Sequence, residues 1–377
     1  MDYLRALVAA TACGLAAAAC GSGSSSSRAT AADGGGGDGG DGGDGGDGGS
    51  SLPPPSCADA SVGCLQGTAQ TDGFDVTPSH LRVTLFRAFP SGVAGDVNEV
   101  QNQAFTPGSN GNAWAFSGLD PWDHYFVQVE PGFPRDAGVA KTVAARVGPL
   151  SLVTSADASV DVHVRPAQID ILEQATADGG MQVQSALVHL FDPATGGEIG
   201  AGADVSILVG ATSTPVPYDP TRSAYWLQFA TPPAALPTYT VTASIAAGSP
   251  SSTWSLVSAS ASFTAAITAP AAGAVVAAGQ DLSVTWAPQP AADYIAVSLY
   301  RMANGSWSSV YGSPWPRAAD VKAETIPGSV VDAGVACCLG AAGTYLLNVA
   351  FTRSNCPPTA DGCVHSAVVA SEQFTVQ

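Results

Sequence analysis

From Cys57 onward, apolar and polar residues alternate in short runs, and almost no stretch repeats its apolar residues at helical spacing. Leu81, Val83 and Leu85 alternate with Arg82 and Thr84. Val160, Val162 and Val164 alternate with Asp161, His163 and Arg165. Tyr239, Val241, Ala243 and Ile245 do the same, and Leu282, Val284 and Trp286 share a face, as do Ile295, Val297 and Leu299. Tyr345, Leu347, Val349 and Phe351 form a further set. A period of two puts one set of side chains on each face of a strand, so these are half-buried antiparallel strands. Breaks rich in Gly, Pro, Asp and Ser separate them at intervals of about ten residues, the spacing of β-sandwiches. The expected fold class is all-β, with tandem antiparallel β-sandwich domains. Pro-containing breaks divide the region into units 57–165, 166–266 and 267–377, each of roughly 100 residues, enough to close a two-sheet sandwich.

Composition supports this reading and excludes others. Apolar residues make up 46% of the chain, so a packed core is available. The 43 glycines and 27 prolines disfavour long helices. Lys and Arg total 13 against 31 acidic residues, a net charge of −18. Nucleic-acid binding needs a basic face, so no nucleic-acid partner is expected.

The N-terminus reads as an address. Arg5 precedes Ala6–Ala19, an uncharged run too short to span a ~30 Å hydrocarbon core, and therefore the h-region of a signal peptide over residues 1–19. Ala17-Ala18-Ala19-Cys20 resembles a bacterial lipobox, although the family prefers leucine where Ala17 stands. The resemblance implies lipidation of Cys20 after cleavage. The alternative is an ordinary secretory signal cut after one of these alanines. Gly21 follows, where an aspartate would retain a lipoprotein in the inner membrane, so the expected location is the outer membrane, facing the cell surface or the periplasm. The lipid is the expected membrane contact. Residues 20–56 hold a Ser run, an Asp-Gly-Gly repeat from Asp38 to Asp47 and Pro53-Pro54-Pro55. Such a segment has nothing to bury and is expected to be a disordered acidic tether spanning roughly 30–35 Å. The repeat lacks the apolar residue and nine-residue period of a calcium-binding β-roll, so it reads as a solvated spacer.

Of eight cysteines, Cys13 leaves with the signal and Cys20 takes the lipid. Cys57, Cys64, Cys337, Cys338, Cys356 and Cys363 remain, an even set that reads as disulfides in an exported protein. Cys57 and Cys64 are expected to pair. The other four allow three connectivities. A vicinal Cys337–Cys338 bond needs strained geometry, so each of these two is expected to join Cys356 or Cys363. A zinc site is disfavoured, because there is no C-x2-C pair and His365 is the lone nearby histidine. No metal and no cofactor are expected.

Leu65-Gln66-Gly67, Val83-Thr84-Leu85-Phe86, Phe116-Ser117-Gly118-Leu119-Asp120-Pro121 and Tyr125-Phe126-Val127-Gln128-Val129 resemble the carboxypeptidase-regulatory or transthyretin-like family. That resemblance implies a seven-stranded, non-catalytic sandwich over the first unit. The third unit opens Ile267-Thr268-Ala269-Pro270-Ala271-Ala272-Gly273 and continues Gly279-Gln280-Asp281-Leu282-Ser283-Val284-Thr285-Trp286. It resembles the immunoglobulin-like and fibronectin III-like sandwiches of secreted bacterial proteins, and is also similar to the Ser/Thr-rich cell-wall domain. The resemblance implies that Trp286 is a core tryptophan. The middle unit is read as an immunoglobulin-like sandwich from its alternation and its neighbours.

No G-x-S-x-G, H-E-x-x-H or P-loop motif is present, and the five histidines are dispersed. His163 and His189 read as solvent-facing strand residues. Asp120, Asp123 and His124 make the densest polar cluster and read as a turn, as do Asp192-Pro193 and Asp219-Pro220, since Asp fixes turns through its own side chain. A hydrolase with an acidic site around Asp120–His124 is the alternative from a different class. Trp307, Tyr311 and Trp315 are the best candidates for stacking on sugar rings, because aromatic faces meet the C–H groups of a sugar; core filling is the alternative. The expected function is a lipid-anchored envelope protein with a structural, adhesive or partner-binding role and no catalytic activity. Other envelope proteins or polysaccharide are the expected partners. A carbohydrate-binding surface protein is the nearest alternative.

Overall fold

A computed structural model describes residues 63–88, 98–120, 123–133, 145–152, 157–177, 181–209, 211–229, 238–244, 252–258, 264–289, 291–313, 317–328, 330–332, 335–337, 339–358 and 362–377. The expected signal peptide, Cys20, the tether, Cys57, Trp315 and Cys338 lie outside them. Among the described residues the structure is strands joined by turns, with one short 3-10 turn at Ser109–Asn112. The all-β expectation holds.

The first module contains β1 (Gly63–Thr71), β2 (His80–Phe86), β3 (Glu99–Phe105), β4 (Ala113–Leu119), β5 (His124–Gly132), β6 (Ala145–Ser151), β7 (Asp157–Ser159) and β8 (Val162–Val164). One sheet runs β4-β1-β7 with β8 also on β1, and the other runs β3-β2-β5-β6. Leu81, Val83 and Leu85 of β2 pack with Trp114, Phe116, Tyr125 and Val127 between the two sheets. The alternation legible in β2 thus marks the core face, while on its other face Thr84 and Phe86 are buried as well, Phe86 against the third module.

The second module contains β9 (Ala167–Thr176), β10 (Met181–Leu190), β11 (Asp204–Val209), β12 (Thr212–Pro215), β13 (Tyr218–Asp219), β14 (Ala224–Gln228), β15 (Thr238–Ser244) and β16 (Ser252–Val257). The third contains β17 (Ile267–Ala269), β18 (Val275–Val276), β19 (Leu282–Trp286), β20 (Tyr294–Ala303), β21 (Ser306–Gly312), β22 (Arg317–Ala318), β23 (Ala323–Ile326), β24 (Val330–Asp332), β25 (Val335–Cys337), β26 (Gly343–Asn355) and β27 (Gly362–Val376). Their separate faces are β12-β11-β15-β16 and β17-β19-β23. Trp286 is buried at the centre of the third core, its Nε1 donating to the Val321 carbonyl at 3.0 Å.

Nothing in the strand pattern announces how the second and third modules join. Their other faces are one continuous ten-stranded sheet, β13-β14-β10-β9-β27-β26-β20-β21 with β18 and β22 added. The seam is a parallel pairing of β9 with β27, from Ile169↔Gly362 to Thr176↔Val369. β27 consequently serves two cores: Val364 packs with Ile169 and Tyr239, while Ala370 and Phe374 pack with Trp286. The strand is buried on both faces from Cys363 to Ala370. Gly362 permits the close approach, since a Cβ there would lie 2.2 Å from the Ile169 carbonyl oxygen.

The first module docks against both others. Phe86 and Phe126 pack with Tyr294, Cys356 and Cys363, and Gly148 exchanges two backbone hydrogen bonds with Cys356 at 3.0 and 2.9 Å. Phe191 of the second module enters the first module's core, and Gly196 packs against the Phe133 ring.

Cys356 and Cys363 are bonded to each other, with Cα atoms 4.3 Å apart. This corrects the expectation that each would join Cys337 or Cys338. Register is the reason. Asn355 and Val364 are the last paired residues of the β26–β27 hairpin, and the next positions outward are the two cysteines. Cys337 lies on β25, opposite Val330 of β24. Cys64 is disulfide-bonded as well.

Candidate functional site

The three modules meet over a cluster of buried charge. β6 supplies Arg146, β9 supplies Asp170, β20 supplies Tyr294 with Asp293 just before it, β26 supplies Ser354, and β27 supplies His365. Asp170 lies beside Cys363 in the parallel register, so it shares a sheet face with the cysteine and with His365 two residues on. That outer face would be wet in an isolated sandwich. Here it lies under the first module, and Asp170, Ser354, Asp293 and His365 are all buried.

The His365 ring is held on both sides. Its Nδ1 is 2.8 Å from Ser354 Oγ, and its Nε2 is 3.4 Å from Asp170 Oδ1. The other Asp170 oxygen is 3.6 Å from Arg146 Nη1, and Arg146 Nε donates to Gln128 Oε1 at 3.0 Å. Burial pushes the Asp170 carboxyl up, but the His365 hydrogen bond and the Arg146 charge outweigh it and hold the group below the usual carboxylate range. A second bridge runs from His124 Nδ1 to Asp293 Oδ1 at 3.3 Å, and Asp293 Oδ2 accepts from the Ser354 amide at 2.7 Å. The Asp293 hydrogen bond raises the His124 pKa against the opposing effect of partial burial. Tyr294, enclosed between these groups, has its hydroxyl pushed well above the ordinary tyrosine value by desolvation. At the rim, Arg87 joins Asp123 at 2.8 Å and Asp320 at 3.2 Å.

Ser354, His365 and Asp170 stand in the order of a hydrolytic relay. Ser354 and His365 are 4% and 1% exposed, so a substrate carbonyl has no approach to the hydroxyl. Cys356, Cys363 and His365 bring three metal-ligand atoms within 4.8 Å of one another. The two sulfurs are joined in a disulfide and offer no thiolate to a metal. What the arrangement does chemically is neutralise charge across two module boundaries.

The residues singled out by sequence are scattered. Trp307 is buried against Tyr300 and Leu346. Tyr311 packs instead against the third core, and its hydroxyl donates to Glu324. Asp123 is taken by Arg87 and His124 by Asp293, while the Asp120 amide donates to Tyr125 Oη at 2.9 Å. Asp192 and Asp219 cap turns as expected, accepting from the Ala194 and Thr221 amides, each at 2.9 Å. His163 and His189 are partly exposed and paired with Asp72 and Glu198. The Asp170–His365 pair was beyond sequence reasoning, since 195 residues separate its members and no motif links them.

No protein-family model matches the chain, and no curated protein matches it. Solved structures similar to it include the FN1–FN3 domains of chicken CNTN1, 10% identical, with 85% of this chain and 99% of that one covered and a TM-score of 0.22. Another is the Bacteroides ovatus protein SGBP-B of a mixed-linkage glucan utilization locus, in complex with a mixed-linkage heptasaccharide. It is 11% identical, with 86% and 68% covered and a TM-score of 0.19. A third, dimeric latent PorU from Porphyromonas gingivalis, is 9% identical, with 80% and 30% covered and a TM-score of 0.20. Scores this low carry no argument about what this chain binds.

Proposed function

We propose that the chain is a non-catalytic component of a bacterial cell envelope, carried by a lipid on Cys20 and presenting three β-sandwich modules as one rigid body. The observation that carries this reading is the junction. Three modules that only needed to be strung together would keep small, wet interfaces. Here the second and third share a sheet, the second lends Phe191 to the first module's core, and Asp170 and His365 are buried where the three meet. Such an investment in fixed geometry suits a protein that holds a partner surface in place, with an envelope protein or polysaccharide as the partner. The polar groups at the junction are committed to each other rather than to a reacting atom.

Protease shaving of intact cells, followed with an antibody to the third module, tests the location. Loss of signal on intact cells is the expected result and favours adhesion or matrix binding. Protection on intact cells with cleavage after disruption would overturn the surface reading and favour a periplasmic accessory role.

A further inference from the structure

Three ion pairs among the described residues join the first module to the other two. Arg87 meets Asp320 at 3.2 Å, His124 meets Asp293 at 3.3 Å and Arg146 meets Asp170 at 3.6 Å. In all three the cation stands on the first module and the carboxylate on its neighbour. The remaining contacts divide differently. The second module anchors the first through its core: Phe191 enters the first hydrophobic cluster, Gly196 packs on the Phe133 ring, and the Asp75 amide donates to the Pro193 carbonyl at 2.8 Å. The third module offers a face rather than an inserted side chain. Phe86 and Phe126 lie against Tyr294, Cys356 and Cys363, and the Phe126 and Tyr294 rings meet edge-on with centroids 6.4 Å apart. Gly148 and Cys356 exchange their two backbone bonds there, and the His124 and Arg87 bridges close the rim. The His124 side chain is 32% exposed and can exchange its proton with solvent, whereas Asp293 is 3% exposed. The charged groups facing His124 are Asp293 just before β20, Asp123 on its own turn and Arg353 on β26.

We propose that the first module is a lid over the third, hinged at the Phe191 anchor, closed while His124 carries its proton and released when that proton leaves. A neutral His124 leaves the Asp293 carboxylate buried without its cation. The Ser354 amide still donates to it, and Arg353 is exposed, so its charge is screened by solvent. A buried carboxylate that loses its partner is costly, and lifting the lid hydrates it. The two attachments decide which side yields. The Phe191 anchor is apolar packing and indifferent to charge, and the Arg146–Asp170 pair lies on the same, second-module side. The face on the third module holds the titrating pair and the exposed Arg87–Asp320 pair. Asp293 favours the protonated ring, so the lid is closed below the folded His124 pKa and opens as pH rises through it. Opening uncovers the Cys356–Cys363 disulfide, whose cysteines are 1% and 2% exposed beneath Phe86 and Phe126. Fixed geometry is then a property of the closed state. The inference goes beyond the envelope role and does not depend on where the protein is anchored.

The test is the rate at which a water-soluble phosphine reduces Cys356–Cys363 in the whole folded chain, read by alkylation and peptide mass spectrometry at pH 6 and pH 9. Parent and variant are compared at the same pH, which removes the reagent's own pH dependence. His124→Gln is expected to be reduced at least fivefold faster than the parent at pH 6 and within twofold of it at pH 9. The disulfide of Cys64, inside the first module, should be reduced equally fast in both chains, since the module itself stays folded. A measurement on the parent alone keeps the test if the variant does not fold. Amide hydrogen exchange, corrected for its intrinsic pH dependence, should lose fivefold or more protection at Gly148 and Cys356 between pH 6 and pH 9, and none at Val127 in the first core. Equal reduction of parent and variant at pH 6, a Cys64 rate that rises with the other, or protection at Gly148 unchanged by pH would overturn the proposal.

Discussion

Trp286 and His124 represent two kinds of residue in this molecule. Trp286 sits where its strand alternation puts it, packed with Val284, Ile295 and Phe351. Replacing it with alanine removes a large apolar side chain and leaves a cavity, so Trp286→Ala should cost ~3–5 kcal/mol in a denaturant titration. His124 bridges to Asp293 in another module, and that hydrogen bond raises its pKa above 6.5. Asp123 adds to the rise and Arg353 opposes it. A raised histidine pKa stabilises the fold fully below the unfolded value of about 6.5, and the contribution is lost as pH rises through the folded value. Stability measured from pH 6 to 9 should therefore fall over that range, and His124→Gln should flatten this part of the profile. Asp170 has the opposite sign. Its folded pKa is depressed, so its contribution is present above about 3.9, the unfolded carboxyl value, and lost as pH falls through the folded value. Trp286 was legible in the sequence because burial follows a local period. His124 and Asp170 were not, because each takes its role from a residue in another module.

At the level of single elements, β27 departs most from what a sandwich strand requires. An edge strand of an ordinary module has one neighbour, yet β27 pairs with β26 on one side and β9 on the other. Its period-2 pattern is blurred because both faces are buried, which is why Ala367, Val368, Val369 and Ala370 form a short apolar run rather than an alternation. The seam depends on Gly362, whose missing side chain leaves room for the Ile169 backbone. Gly362→Val should separate the strands at that end and destabilise the second and third modules together by several kcal/mol, of the order of other core overpacking. Hydrogen exchange checks this: protection should fall in β9 and in β27 alike. Protection lost in β27 alone would mean that the seam carries little energy. The aromatic run around Trp307 shows the converse limit. Three rings close in sequence looked like a platform, but Trp307 and Tyr311 joined different clusters.

Taken whole, the molecule is three sandwiches whose boundaries are crossed by a sheet, by core side chains and by buried charge. Strand content and much of the core could be read from the chain, because alternation is a local property. The assembly could not, because parallel pairing between β9 and β27 joins segments distant in sequence and leaves no local mark. A consequence at this scale is cooperative unfolding. Calorimetry should give one transition for the second and third modules, and residues 166–266 made alone should lack the tyrosine environment that the whole chain gives Tyr239. Two separate transitions would show that the seam does not couple them.

The position of β27 also fixes an order of events in synthesis. The second sandwich has its first strand from residue 167, but the neighbour that completes its sheet comes from the last residues of the chain. At 5–20 residues per second, the 195 residues between Asp170 and His365 take roughly 10–40 s to make. For that interval the second sandwich exposes an open edge, and the first lacks the third module's share of its docking surface, Tyr294, Cys356 and Cys363. The seam closes only once its later strand is made, like an arch that stands only once its keystone is set, and a product cut short before β27 would betray itself by modules left ajar rather than by one module missing.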